Sequence, residues 1–211
     1  MATPGPFSIL EIRMGIEFIS FVLFASAMVG TPGPANMVIL AASAQFGFKR
    51  AVPFIAGVVL GMQFVIWPMG LGLMALYAEM PLLFETLKWV SAAYIFWLAY
   101  KILGAKLKPS EVAKPPRFIS GLIVHPLNPK AWAMTIAGFT NFVKPDASAL
   151  MATIAIGLCF FAIQSVLQPL WGLAGQMIAA RLAGKPGEKY LMWVLAGLTV
   201  ASVLFVLVKG D

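Results

Sequence analysis

Six apolar stretches constrain this chain more than any other feature of it. They cover residues 16–46, 51–78, 81–102, 118–143, 147–180 and 190–208, and a helix that spans a bilayer needs about 20 mostly apolar residues. No apolar–polar alternation of period two runs through them, so a membrane β-barrel is not expected. With 61% hydrophobic and 11% charged residues, the chain lacks the polar surface that a soluble fold of this length requires. Intrinsic disorder, collagen-like repeats and disulfide scaffolds are excluded by the same numbers. Cys159 is the single cysteine and can form no intrachain disulfide. The expected fold class is all-α: a polytopic membrane protein with six transmembrane helices in one transmembrane domain, residues 1–211.

The charges set the expected orientation. Lys49 and Arg50 lie between stretches one and two. Lys101, Lys106, Lys108, Lys114 and Arg117 lie between three and four, and Arg181, Lys185 and Lys189 between five and six. Only Glu111 and Glu188 accompany these ten bases. The other side holds Arg13, Lys88, Lys144 and Lys209 with Glu11, Glu17, Glu79, Glu85, Asp146 and Asp211. Basic loops face the cytoplasm, so the linker 104–117 is expected inside and both termini outside, in the periplasm, for a protein of the inner membrane. The net charge of +7 is therefore read as topology, and no nucleic-acid partner is expected. Arg13 followed by an apolar run and by Ala25-Ser26-Ala27 has the form of a cleavable signal. Glu17 interrupts that run, and the apolar stretch continues past Gly30, so the first helix is expected to be retained. Thr3-Pro4-Gly5-Pro6 echoes a later motif, and Met14 is an alternative start.

Two of the stretches carry paired prolines at membrane depth. Thr31-Pro32-Gly33-Pro34 lies inside the first, and His125-Pro126-Leu127-Asn128-Pro129-Lys130 inside the fourth. Proline lacks an N–H and clashes with the carbonyl four residues back, so each pair is expected to end one helix and start another. Asn128-Pro129 suits an N-cap followed by proline at the first helical position, and Thr31-Pro32 has the same form. At 1.5 Å per residue, Thr31 lies about 22 Å into its stretch and Pro126 about 12 Å into its own. Irregular backbone at that depth is tolerated only where protein or a water-filled cavity surrounds it. Gln63 and Pro68 in the second stretch recur as Gln164 and Pro169 in the fifth, each pair offset by 101 positions. Three helices per half force opposite orientations, which gives two inverted repeats, 14–105 and 117–208. Broken helices at matching positions of inverted repeats point to a secondary transporter with its site at the repeat interface.

The candidate site is poor in acids. No Asp or Glu lies deep in a stretch, so nothing is available to hold a cationic side chain. The helices that begin at Pro34 and Pro129 present unpaired N–H groups and positive dipole ends, and Lys130 adds a full charge. A substrate carboxylate suits that place. Thr31, Pro32, Gly33, Pro34, Asn36, Asn128, Pro129 and Lys130 are the expected lining, with Gln63 and Gln164 on polar groups of the substrate. His125 is the only near-neutral titrating side chain and a candidate for proton coupling; its alternative is a satisfied histidine near the inner interface. Lys130 could instead snorkel to the membrane surface, and the two glutamines could be helix–helix links. Gly57 and Gly61 read as a close-packing pair. No metal cluster, Walker loop or other enzyme motif is present in the sequence, so no enzyme activity, cofactor or metal is expected.

Gly30-Thr31-Pro32-Gly33-Pro34-Ala35-Asn36 resembles the Pro-Gly-Pro signature of the LysE/RhtB family of amino-acid exporters. Residues 87–94, continuing through Trp97-Leu98-Ala99-Tyr100-Lys101, resemble that family's third helix, and Gly121 with Leu127-Asn128-Pro129-Lys130-Ala131 its Asn-Pro-Lys motif. The similarity covers about residues 14–208. It implies an inner-membrane exporter of amino acids or related metabolites, driven by an ion gradient, whose central site is lined by Pro32, Gly33, Pro34, Asn36, Asn128, Pro129 and Lys130. Two positions depart from the pattern: Met62 and Gln63 follow Gly61 where many members carry an acid, and Ala35 replaces a common Asn. The expected function is secondary-active export of amino acids or similar carboxylate-bearing metabolites by alternating access. The alternatives are a non-transporting scaffold or accessory subunit, and a channel. The lipid bilayer and a small-molecule substrate are the expected partners; a homodimer is compatible with six short helices, but no motif specifies one.

Overall fold

The computed structural model describes residues 16–73, 79, 81–104 and 114–209. Readings on residues 1–15, on the middle of the linker and on the last two residues lie outside these. The described chain is all-α. The first apolar stretch is α1 (Phe18–Gly30) and α2 (Pro34–Phe46), bent by 50° at the break between them. The second is α3 (Phe48–Gly61) and α4 (Gln63–Pro68), closed by a π-helical turn, Met69–Leu73. Then come α5 (Pro81–Leu103), the short α6 (Phe118–Leu122), α7 (Pro129–Phe142), α8 (Ala149–Leu182) and α9 (Gly187–Lys209). Two continuous helical segments, Phe48–Gly72 and Ala149–Leu182, are long and apolar enough to cross a membrane, and the bent pair α1–α2 makes a third.

Both proline motifs break the helix, but differently from each other. At the fourth stretch Asn128 caps α7: its side chain accepts from Lys130 N at 3.1 Å, and Pro129 holds the first helical position. At the first stretch the expectation that Thr31 would cap the following helix is corrected. Thr31 ends α1, where its Oγ1 donates to the Met28 carbonyl at 3.0 Å, and the N-cap of α2 is Gly33, ahead of Pro34. The second proline of the motif starts the new helix because its fixed φ is preorganised for the first turn. The Gln–Pro pairs also diverge. Pro68 ends α4 at the π-turn, whereas Pro169 lies inside an unbroken α8 of 34 residues. That length reaches roughly 50 Å at 1.5 Å per residue, more than an apolar layer about 30 Å thick requires, so the fifth stretch is one long unbroken helix.

The burial pattern of α8 is inverted relative to a soluble helix. Leu158, Val166, Leu170 and Met177 face outward, while Ala152, Ile156, Gln164, Gln168, Gly172, Gly175 and Ala179 form the buried stripe. Apolar residues outside and amides inside are what a lipid surround requires.

α1 and α7 run antiparallel along each other. Ile16 bridges Val143, Glu17 N donates to the Phe142 carbonyl at 2.9 Å, Phe21 packs at Gly138, and Thr31 meets Lys130. Phe21, Phe24, Phe142 and Phe160 cluster at this end, with ring centroids 5.1–6.4 Å apart. At the other end lie Lys101, Lys114, Lys185 and Lys189. Lys101 and Lys189 there fold back over the rings of Trp97 and Trp193 at 5.3 and 5.2 Å, as expected of cations and aromatics at a membrane interface.

The crossing of α3 and α6 has no room for side chains. A Cβ on Gly57 would overlap the Phe118 carbonyl, one on Gly121 the Phe54 carbonyl, and one on Gly61 the Leu122 carbonyl. Small residues let backbones approach this closely in lipid. Gly57→Ala is therefore expected to destabilise the protein by about 1–3 kcal/mol, as overpacking does. A thermal melt in detergent reads this as a lowered midpoint; an unchanged midpoint would show that the crossing is not a tight one.

Candidate functional site

The two breaks meet, and donors from Thr31, Asn36 and Lys130 serve carbonyls left over at the end of α1. A helix end leaves its last carbonyls without intrahelical donors. At the end of α1, the Ala27 carbonyl accepts from Thr31 N at 3.0 Å and the Met28 carbonyl from Thr31 Oγ1. Asn36, reaching back from the first turn of α2, donates through Nδ2 to the carbonyls of Val29 and Thr31, each at 2.8 Å. Lys130, in the first turn of α7, donates through Nζ to Thr31 Oγ1 at 2.9 Å and to the Thr31 carbonyl at 3.3 Å. Lys130 thus joins the two broken helices, and its ammonium lies at the negative end of α1.

Gly33 makes room for that lysine. Its φ of −170° is extended backbone open to any residue, but an added Cβ would lie 3.0 Å from Lys130 Nζ and 3.1 Å from its Cδ. The glycine of the motif is needed for space rather than for conformational freedom. On the other side, the break before α7 closes by Asn128 N donating to the His125 carbonyl at 3.0 Å and by the Trp132 indole donating to the Pro126 carbonyl at 2.9 Å. Trp132 carried no motif signal in the sequence. Only its place six residues after a proline carbonyl on a broken helix could have suggested the role.

A small cavity of about 20 Å³ lies at the meeting point, lined by Met28, Val29, Gly33, Ala35, Asn36, His125, Asn128, Lys130, Met134 and Gln168. Of the residues expected from sequence, Gly33, Asn36, Asn128, Lys130 and His125 are among that lining. Thr31 holds the Lys130 head at its edge, Pro34 and Pro129 are buried behind it as first residues of their helices, and Pro32 is exposed. Gln164 lies behind His125, with Oε1 3.1 Å from His125 Nε2. Gln63 does not line the cavity. Its Nε2 donates to the Gly157 carbonyl at 3.1 Å and its Oε1 accepts from the Trp67 indole at 3.1 Å, so it ties α4 to α8. Met28, Met134 and Gln168 also line the cavity, and no sequence motif marks them.

No carboxylate lines the cavity, so the lysine charge there has no acidic counterpart in the lining. Among the described residues no group of three or more His, Cys, Asp or Glu could hold a metal ion. A cavity of this size holds about one water molecule. Nearer the basic end, a wider groove of about 540 Å³ is lined by, among others, Val38, Gln45, Tyr94, Lys101, Lys114 and Val124. Val124 precedes His125 and Val38 lies one turn from Ala35, so groove and cavity are lined by neighbouring residues of the same two segments. At the opposite end the phenylalanine cluster lies over α1 and α7.

Broken helices that meet at a polar, cation-bearing cavity inside an apolar exterior fit a membrane translocator. The comparisons agree: residues 26–210 match the LysE type translocator family, and the chain belongs to it. It is similar to a cysteine/O-acetylserine efflux protein of Salmonella paratyphi A, 31% identical over 148 residues, covering 70% of this chain and 76% of the relative. It is also similar to a homoserine/homoserine lactone efflux protein of Salmonella typhimurium, 27% identical over 195 residues, covering 87% and 95% of the two chains. The corresponding cysteine/O-acetylserine efflux protein of Escherichia coli K12 is 29% identical over 148 residues, with coverage of 70% and 76%. No solved structure matches. The protein is a membrane transporter of small, amino-acid-like molecules, and not an enzyme.

Proposed function

We propose that the protein is a secondary-active exporter of neutral amino acids, or of related small metabolites that carry a carboxylate, across the inner membrane by alternating access. The observation that carries this reading is the Lys130 ammonium, with no acid lining its cavity, at the meeting point of two broken helices. Gly33 gives α2 no side-chain cap. The first N–H groups of α2 and the Lys130 head are therefore the donors for a substrate carboxylate. The first free N–H of α7 is already taken by Asn128, so α2 is the better docking end. Cationic amino acids suit this cavity least, because it offers no acid to their side chains.

In this reading six helices form two inverted repeats, 14–105 and 117–208, with the basic linker 104–117 in the cytoplasm and both termini in the periplasm. The antiparallel course of α1 and α7 supports it, since they belong to the first and fourth stretches, which head the two halves and in inverted repeats run in opposite directions. The small cavity, with room for about one water molecule, represents a closed, substrate-free state that must widen to admit the substrate. The groove bearing Lys101 and Lys114 is the cytoplasmic approach, gated by Val38 and Val124, and the phenylalanine cluster is the outer gate. Cysteine, O-acetylserine and homoserine, named for the relatives, are the first substrates to try. Gln63 is given no substrate contact. His125 is the coupling group if export runs against a proton gradient.

The test is counterflow in proteoliposomes with labelled alanine, serine, threonine, leucine, cysteine and homoserine. Saturable exchange of at least one is expected, reduced roughly tenfold or more in Asn128→Ala, where the cap that orients Lys130 is lost. No flux in any case sinks the amino-acid reading, and non-saturable flux without exchange replaces it with a channel. Repeating the assay with and without an imposed pH gradient, in wild type and His125→Ala, decides coupling: equal flux in all four removes the proton role.

A further inference from the structure

Four buried side-chain atoms have no hydrogen-bond partner among the described residues: Ser43 Oγ, His125 Nδ1, Gln164 Nε2 and Gln168 Oε1. Three of them belong to one cluster at the cavity. Gln164 and Gln168 lie one turn apart on the buried stripe of α8, and both are essentially unexposed, at 0% and 1%. His125 and Gln168 line the cavity. A buried polar atom without a partner costs stability, and natural proteins rarely leave one without a reason.

The chemistry of the cluster follows from one hydrogen bond. The Gln164 carbonyl oxygen faces His125 Nε2 at 3.1 Å. An acceptor at Nε2 requires the proton there, which leaves Nδ1 of the neutral ring as an acceptor. Gln168 Oε1 is a second free acceptor. Gln164 Nε2 is an unpartnered donor, but Gln164 lies behind His125 and outside the lining; the donors that line the cavity come from Lys130 on α7 and from the uncapped first turn of α2. The cavity therefore gathers cationic and N–H donors from two helices, and neutral acceptors from α8 and the break before α7. A carboxylate alone would use only the first set.

We infer that Gln168 is a specificity-determining residue that accepts a hydrogen bond from the substrate's amino group, with His125 Nδ1 as its companion acceptor. This rests on the transporter reading above and extends it to the second charged group of the substrate. A neutral amide suits the role because the ammonium of a zwitterion is already compensated by its own carboxylate. A carboxylate in place of Gln168 would favour cations instead. Met28 and Met134 complete the lining with flexible apolar side chains, which fit a variable uncharged substituent. A 2-hydroxy acid would satisfy the donors of α2 and Lys130 but bring only one neutral donor to Gln168 and His125.

The experiment uses purified protein in proteoliposomes, taking whichever of the six labelled amino acids gives the highest counterflow. Its unlabelled form and its 2-hydroxy acid counterpart are compared as inhibitors in wild type, Gln168→Leu, Gln168→Met and Gln168→Glu. Wild type is expected to prefer the amino acid roughly tenfold or more, the scale of a buried hydrogen bond to a charged group. In Gln168→Leu and Gln168→Met the preference falls to within about threefold, while Gln168→Glu, which keeps an acceptor, retains it. A role in packing alone would lower flux without moving the ratio. Gln168→Met, close to glutamine in shape, answers the question if Gln168→Leu does not fold. A wild-type ratio in either apolar variant overturns the assignment of Gln168 and leaves the transporter reading standing. Failure of wild type to exchange any of the six overturns both.

Discussion

Lys130→Met is expected to reduce export on the order of 100-fold while leaving the fold and its thermal midpoint nearly unchanged. The two effects separate because of how the Thr31 carbonyl is served. Lys130 Nζ reaches it at 3.3 Å, but Asn36 Nδ2 donates to it independently at 2.8 Å. Thr31 Oγ1 keeps its own bond to the Met28 carbonyl. Removing the ammonium therefore leaves no new orphan at the break, and methionine fills nearly the same volume. A charge placed in an apolar layer also carries a cost that the variant avoids. What disappears is the one full positive charge at the cavity and, with it, the anchor for a substrate carboxylate. Lys130→Arg keeps the charge but must fit a wider head beside Gly33, where a single added carbon would already crowd the lysine, and is expected to recover only part of the flux. Counterflow and a melt on the same preparations check this. Wild-type flux in Lys130→Met would remove the lysine from the binding site, and a collapse of the melting midpoint would make it structural.

The fold was legible in the sequence wherever a backbone constraint had a residue signature. Proline pairs located both breaks because a missing N–H and a fixed φ leave the chain little choice. Asn128 was legible as a cap for the same reason. Gly57 and Gly61 were legible as a contact surface, although their partner, the carbonyls of Phe118 and Leu122, was not. Contacts between elements distant in sequence were the illegible part. That Thr31 ends one helix rather than starting the next depends on Asn36 and Lys130 supplying donors from two other helices, and no local pattern records this. Gln63 and Gln164 lie 101 positions apart, each five residues before a proline, yet one ties α4 to α8 and the other orients His125. Their neighbours differ because Pro68 closes a helix into a π-turn and Pro169 does not. Gln168 is illegible in the sequence, because a glutamine before a proline on an apolar helix gives no signal of its own. Only its unpartnered oxygen beside a cavity singles it out. Family membership, in contrast, was carried by the local motifs, which match in order over most of the chain.

Asn36→Leu is expected to act in the opposite sense to Lys130→Met, striking stability first. Asn36 is 4% exposed, and its single amide nitrogen serves two carbonyls at 2.8 Å. Leucine is similar in size but donates to neither. The Thr31 carbonyl keeps Lys130, whereas the Val29 carbonyl is left with no donor among the described residues, in a buried setting where one unsatisfied group costs about 1–3 kcal/mol. The melting midpoint should fall accordingly, and flux per folded molecule should fall too, because the bend between α1 and α2 is no longer fixed. The double variant Asn36→Leu with Lys130→Met sharpens the point. Each single variant leaves the Thr31 carbonyl one donor, but the double leaves it none, so the combined loss of stability should exceed the sum of the two by about 1 kcal/mol or more. Additivity within experimental error would mean that Asn36 and Lys130 do not share that carbonyl, and that the two broken helices are not joined through it.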